Sequence, residues 1–183
     1  MSDAPRLDAG SVAAAAWPDA IFDILKRFRV RQVAYVPDAG HARLIERVHA
    51  EPSMTPVVLT TEEEGVALSA GAWLGGERSV LLMQSSGVGN CVNMLSLVRL
   101  GRFPFLTLVT MRGEWGEFNP WQVPMGTATP EALRLSGLHV VRADAPAEVA
   151  DVVGAAAVMT YEAETATAVL LSQRLIGAKV FAK

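Results

Sequence analysis

The strongest constraint on this chain of 183 residues is a regular alternation of short apolar runs with helix-length segments. Six runs have strand character, at residues 32–36, 56–60, 79–84, 105–110, 139–142 and 167–171. Between them lie segments with helical periodicity. The first begins at Trp17 and repeats at Ile21, Ile24, Leu25 and Phe28; others fall at 41–50, 62–74, 91–99, 129–136 and 145–160. The 79–84 run does not alternate apolar and polar positions, as expected for a strand covered on both faces. Strand–helix alternation of this kind predicts an α/β fold: a single open, mostly parallel six-stranded sheet with helices on both faces. Residues 1–16 read as a flexible leader and 17–183 as one domain.

Punctuation supports the division. Pro18 suits a first helical turn. Pro37-Asp38-Ala39-Gly40 is a turn signal. Thr129, Pro130 and Gly137 read as cap, first position and stop of a helix. A long irregular loop is expected from Met111 to about Thr127. In open parallel sheets the working residues gather outside the carboxyl ends of the strands. The turns at 37–40, 61–65, 85–90 and 111–126 occupy those places.

Composition limits the function classes. Half of the residues are apolar (51%) and only 19% are charged, which predicts that another subunit covers part of the surface. Net charge is −3, acids and bases are mixed, and no basic stripe recommends a nucleic-acid partner. A single cysteine, Cys91, excludes an internal disulfide and fits a reducing compartment. No segment reads as a signal peptide. The apolar stretch 149–171 is broken by Asp151, Glu162 and Glu164, so no membrane span is expected and the default location is cytoplasmic.

Four places carry candidate chemistry. Glu62, Glu63 and Glu64 open a helix, where carboxylates offset the macrodipole and accept orphan N–H groups. That suffices for Glu63 and Glu64, whereas Glu62 stands at the ligand edge. The Gly65, Ala67, Ser69, Ala70, Gly71 and Ala72 that follow allow close approach to a sheet or a partner. Gln84-Ser85-Ser86-Gly87-Val88-Gly89-Asn90 is a Gly-rich turn, without the Gly-Lys-Ser/Thr of a P-loop or the third glycine of a dinucleotide fingerprint. The loop from Met111 contains Trp115, Phe118 and Trp121, which argue for a pocket cover or a packing surface rather than disorder. Arg112 could meet an anionic substrate or pair with Glu114 or Glu117. His41, His49 and His139 have no metal-ligand spacing: His41 reads as a helix cap near the site, His49 as solvated and His139 as a strand start. Cys91 reads as a small packing residue.

Together these segments resemble a known family. Thr61-Glu62-Glu63-Glu64-Gly65 through Ala72 is similar to the activating-glutamate helix of thiamine diphosphate-dependent decarboxylases, in which the glutamate lies nine residues before a glycine. Counting back from Gly71 gives Glu62. Met83 to Asn90 resembles the loop that follows. Val36-Pro37-Asp38-Ala39-Gly40 and the segment from Arg112 to Gly126 are similar to sulfopyruvate decarboxylase α chains and phosphonopyruvate decarboxylases.

The resemblance implies a pyrimidine-binding domain in which Glu62 hydrogen-bonds the cofactor's aminopyrimidine and activates it, shielded from water. It implies cofactor contacts from Pro37, Ser86, Gly87 and Asn90. It suggests contacts to a small anionic 2-oxo acid from Asp38, Gln84, Ser85, Arg112 and Gln122. Relatives hold the diphosphate and Mg²⁺ through a Gly-Asp-Gly run in a second domain; this sequence has none. The resemblance therefore implies a split enzyme: a pyrophosphate-binding β subunit brings the metal site, the cofactor is shared at the interface, and the assembly is α2β2 or larger. The alternatives are a non-catalytic regulatory subunit of the same fold and a nucleotide-binding α/β module.

Overall fold

The alternation folds into one sheet whose ladders are all parallel. The structure is a computed structural model that describes residues 9–177, with side chains from residue 17 onward. In chain order its elements are α1 (Ala9–Arg27), β1 (Val30–Tyr35), α2 (Ala42–His49), β2 (Thr55–Val58), α3 (Glu62–Leu74), β3 (Arg78–Gln84), α4 (Ser85–Cys91), α5 (Ser96–Gly101), β4 (Phe105–Thr110), α6 (Val123–Leu135), β5 (His139–Ala143), α7 (Val149–Tyr161), β6 (Ala166–Leu171) and α8 (Gln173–Ile176). The strand order is β2-β1-β3-β4-β6-β5.

Period-two alternation along the strands builds two core layers. Val80 and Leu82 of β3 join Val33, Leu106 and Leu108 under α1, α2 and α7, where Ile21, Leu25, Leu44 and Val153 are fully or almost fully buried. Leu81 and Met83 face the other way, toward Val66 of α3, Val88 and Cys91 of α4 and Leu133 of α6. All six residues of β4 are buried, as a central strand covered on both faces requires. Each large side chain so enclosed contributes roughly 1.5–3 kcal/mol of transfer free energy. Register then sets the functional edge: Tyr35 lies opposite Leu82, Gln84 opposite Thr110, and Thr110 opposite Leu171. The ends of β1, β3, β4 and β6 therefore finish almost level, and the turns that follow them meet.

Three sequence expectations are corrected. Helix α1 begins at Ala9 rather than Trp17, because the alanines at 13–16 are strong helix formers. Pro18 consequently lies inside the helix, where it forgoes one backbone hydrogen bond. Residues 1–8 of the expected leader and residues 178–183 of the expected domain lie outside the described residues.

The Gly-rich segment is not a turn leading into a helix at 91–99. Ser85–Cys91 is itself helical, and a second short helix follows at Ser96–Gly101. Tertiary contacts override the weak helix propensity of glycine there.

The irregular loop also ends earlier than expected. Pro120–Gln122 forms a 3-10 turn and α6 starts at Val123, with Pro124 in the first-turn position expected of Pro130. Thr129 is no cap. It lies inside α6, and its hydroxyl donates to Met125 O at 2.6 Å and Ser85 O at 3.2 Å.

Candidate functional site

Helix α3 starts at the functional edge because Thr61 is extended (φ −149°, ψ 153°) and the chain turns helical at Glu62. The three carboxylates then diverge. Glu63 accepts the Thr61 hydroxyl and Glu64 accepts Thr60 N at 2.9 Å, both local helix-end roles. Glu62 turns inward and is only 8% exposed. Its Oε2 accepts Asn90 Nδ2 at 2.8 Å, a bond from α3 to α4. Its Oε1 has no hydrogen-bond partner among the described residues. Gly87 makes this crossing possible: a Cβ there would stand 2.5 Å from both Cδ and Oε1 of Glu62.

Beside the Glu62–Asn90 pair opens a cavity of about 750 Å³, lined by Ser86, Gly89, Asn90, Trp121, Pro124 and Met125 among others. A Cβ at Gly89 would lie 3.3 Å from Met125 Sδ, so the glycine keeps one wall thin. The walls are largely apolar, with a few polar groups such as those of Ser86 and Asn90, the usual make-up of a small-molecule site. Trp121, at the rim, is 83% exposed.

A second cluster joins three strand ends. Asp38, after β1, accepts Gln84 Nε2 at 3.2 Å and Thr110 Oγ1 at 2.6 Å. Ser86 Oγ donates to Gln84 Oε1 at 2.9 Å and so links this cluster to the apolar cavity. A smaller cavity of about 180 Å³ lies against Asp38, Ala39, Gly40, Thr110 and Arg112. Of the residues expected at the substrate, the structure brings Asp38 and Gln84 together, with Ser86 bridging toward Asn90. Pro37 is exposed at the end of β1.

Two further residues expected at the substrate are tied to the scaffold, although Arg112 also borders the smaller cavity. Ser85 is fully buried; its hydroxyl accepts Arg112 N at 3.1 Å and pins the following loop. Arg112 is 7% exposed and forms a fork with Glu117, through Nε and Nη2 at 2.8 Å each. Glu117 also accepts Asn119 N and Gln173 Nε2 at 3.0 Å each. Desolvation pushes the Glu117 carboxyl up, but the Asn119 amide, Arg112 and Gln173 outweigh it and hold it below the usual carboxylate range. Gln122 lines neither cavity, and its Oε1 is buried without a partner among the described residues.

His41 caps nothing. It lies buried under the Asp38 turn with Nε2 donating to Leu108 O at 3.1 Å, and burial lowers its pKa, leaving it neutral. His49 is exposed, as expected, and also shares a 2.6 Å hydrogen bond with the Tyr35 hydroxyl. Cys91 is fully buried, and desolvation together with Glu62 and Glu63 pushes its thiol up to about 12. Sequence reasoning missed Thr110, Gly89 and Met125. Thr110 left a signal as a polar residue closing an apolar strand at the functional edge, and Gly89 left one within the Gly-rich segment.

The layer that carries Glu62 also presents highly exposed apolar side chains. Leu74 of α3 is 87% exposed, Leu100 of α5 81% and Leu135 of α6 80%. Among the described residues no three His, Cys, Asp or Glu side chains converge on a point, and no helix is long and apolar enough to cross a membrane.

Comparison with known proteins places these features. No family model matches the chain. It is 36% identical to the sulfopyruvate decarboxylase subunit alpha of Methanothermobacter thermautotrophicus over 84% of this chain and 93% of that protein. It is 30% identical to the subunit alpha of Methanococcus maripaludis over 84% and 92%. It is 40% identical to the phosphonopyruvate decarboxylase of Streptomyces viridochromogenes over 60% of this chain but 28% of that protein. In three dimensions it is similar to a 2-oxoglutarate:ferredoxin oxidoreductase from Magnetococcus marinus, with a TM-score of 0.66 over 87% of this chain and 29% of the other. Sequence identity there is 12%, so the likeness is one of fold alone.

Proposed function

Because the chain belongs to the family of sulfopyruvate decarboxylase α subunits and phosphonopyruvate decarboxylases, we propose that it is the pyrimidine-binding subunit of a two-chain thiamine diphosphate-dependent decarboxylase. The substrate is a small anionic 2-oxo acid such as sulfopyruvate or phosphonopyruvate. The observation that carries the reading is the Glu62 carboxylate, buried at a helix start, oriented by Asn90 and left with one oxygen unbonded.

The residues fit the aminopyrimidine half of the cofactor. Glu62 would hold a ring nitrogen and share its proton, and Asn90 keeps the carboxylate in one orientation. Ser86, Gly89 and Met125 would line the ring, and Gly87 keeps the approach to Glu62 free of a side chain. Bound there, thiamine diphosphate supplies the nucleophilic carbon and the electron sink that decarboxylation of a 2-oxo acid requires. Asp38, with Gln84 and Thr110, would orient the substrate end of the site. Arg112 is committed to Glu117, which leaves the substrate's negative charge to groups of the partner. The diphosphate and Mg²⁺ are assigned to a β subunit, the kind of partner that the subunit alpha names of the relatives imply. The exposed Leu74, Leu100 and Trp121 supply apolar surface for that chain to cover.

The test is Glu62→Gln in the complex reconstituted with its β subunit. Exchange of the cofactor's C2 proton is expected to slow by at least two orders of magnitude while assembly is retained. Unchanged exchange would move the role to another residue. Tight Mg²⁺-dependent cofactor binding by the isolated chain, measured by calorimetry, would overturn the two-chain arrangement.

A further inference from the structure

At the opposite end of the sheet, where the strands begin, a cavity of about 640 Å³ is lined by Arg27, Arg29, Arg31 and Arg78, with Glu77 and Glu162. The chain is acidic overall, and its sequence offers no long basic stripe. The fold nevertheless brings Arg78 to three arginines that alternate along residues 27–31.

The ordinary explanation for such a cluster is the helix dipole. Helices α1, α3 and α7 end at this edge, and their partial negative charge favours cations. That accounts for Arg78, which donates to Phe28 O at 3.0 Å and Tyr161 O at 3.2 Å and meets Glu162 at 3.3 Å. It suffices for Arg27, in the last turn of α1. It does not account for Arg29 and Arg31, which belong to no helix. Both are exposed, and neither has a side-chain partner among the described residues.

The backbone is irregular at these two residues. Arg29 has φ +54°, a left-handed conformation disfavoured for a residue with a side chain. The β1–β3 register shifts between Val30 and Gln32, so Arg31 is the unpaired residue of an irregularity that re-aims its side chain. Across the cavity Gly76 turns the chain with φ +78°. The left-handed residue that ends α1 and a ladder irregularity thus fall on the two arginines without a side-chain partner among the described residues. Outliers of this kind concentrate at binding sites.

We propose that this cavity is a binding site for a small phosphorylated molecule carrying at least two phosphate charges. Guanidinium forks match phosphate oxygens in pairs, and two unpaired forks beside a third arginine favour a multiply charged anion over a single carboxylate. The volume falls in the range of sites that enclose nucleotide-sized ligands. Glu77, held by Gln32, keeps its negative charge and Glu162 is paired with Arg78, so four guanidinium groups face two carboxylates and the cavity stays net positive. The site lies at the far edge of the sheet from Glu62 and does not depend on the decarboxylase reading.

The probe is inorganic pyrophosphate, titrated calorimetrically into the full chain at physiological salt. Saturable one-to-one binding with a sub-millimolar Kd is expected, and Glu62→Gln should leave it unchanged. The double variant Arg29→Gln/Arg31→Gln, which keeps the structural Arg78, should melt like the parent and bind at least tenfold more weakly. Three results would each overturn the proposal. One is a response that merely tracks ionic strength. Another is undiminished binding by the double variant. The third is loss of binding on assembly with the β subunit, which would make this face a partner contact.

Discussion

Asn90 donates its side-chain amide to Glu62 across the crossing of two helices, at 2.8 Å and over 28 positions of sequence. The bond satisfies one carboxylate oxygen and leaves the other without a partner among the described residues. Asn90→Ala is therefore expected to cost about 1.5–3 kcal/mol of stability at neutral pH, the usual value for a hydrogen bond to a charged group. Urea unfolding of the full chain measures it. Asn90→Asp sets a second carboxylate beside Glu62 and should destabilise at neutral pH more than Asn90→Ala does, with the difference shrinking as pH falls and one of the pair is protonated. A pH-independent difference between the two variants would remove Asn90 from this role.

The glycines of the site should respond in opposite directions. Gly87→Ala drives a Cβ to 2.5 Å from the Glu62 carboxyl, and Gly65→Ala drives one to 2.4 Å from Leu81 Cδ1. Each overpacks the α3 layer and should cost about 1–3 kcal/mol. Gly87→Ala should also displace Glu62 and abolish most activity of the reconstituted enzyme. Gly71→Ala meets nothing within 4 Å. In the isolated chain it should stabilise by about 0.5–1 kcal/mol, the helix-propensity difference. Melting temperatures of the three variants side by side give the comparison.

Glu117 carries the loop after β4. Its side chain is 2% exposed and that of Arg112 9%, so removing one partner strands a buried charge. Glu117→Ala should cost about 3–5 kcal/mol. The folded carboxyl is held below its ordinary value near 4.5. A depressed folded pKa means that its contribution is complete above the ordinary value and is lost as pH falls through the lower folded one. Acid unfolding of the parent should accordingly include a step that Glu117→Ala lacks.

Cys91 should be inert in the folded chain. It is fully buried and its thiol is pushed up to about 12, so essentially no thiolate exists at pH 8. Iodoacetamide should modify it only at the rate of unfolding, and mass spectrometry under increasing urea should follow the global transition. Rapid labelling in native buffer would contradict this packing.

Much of the fold is legible in the chain itself, for a physical reason. Residues 79–84 and 105–110 are too continuously apolar to be anything but covered strands, and the helical spacing between the runs demands crossovers, so a parallel sheet with two helical layers follows from local pattern alone. The register of Glu62 against Gly71 singles out one carboxylate of three, and the structure turns that one inward while the other two stay at the helix end. Local pattern misled where tertiary contact overrides propensity. The glycines at 87 and 89 suggest a turn, yet the segment is a helix pressed against Glu62 and Met125.

The tertiary structure alone decided the pairings. Nothing in the spacing of Glu62 and Asn90, of Asp38, Gln84 and Thr110, or of Arg78 with Arg29 and Arg31 announces that they meet. They meet because parallel strands separated in sequence lie side by side, and their level ends collect residues from distant turns. The same cause gave Arg112 its carboxylate partner. The sequence offered it a substrate or a partner carboxylate, and the fold of the loop brought Glu117 to it.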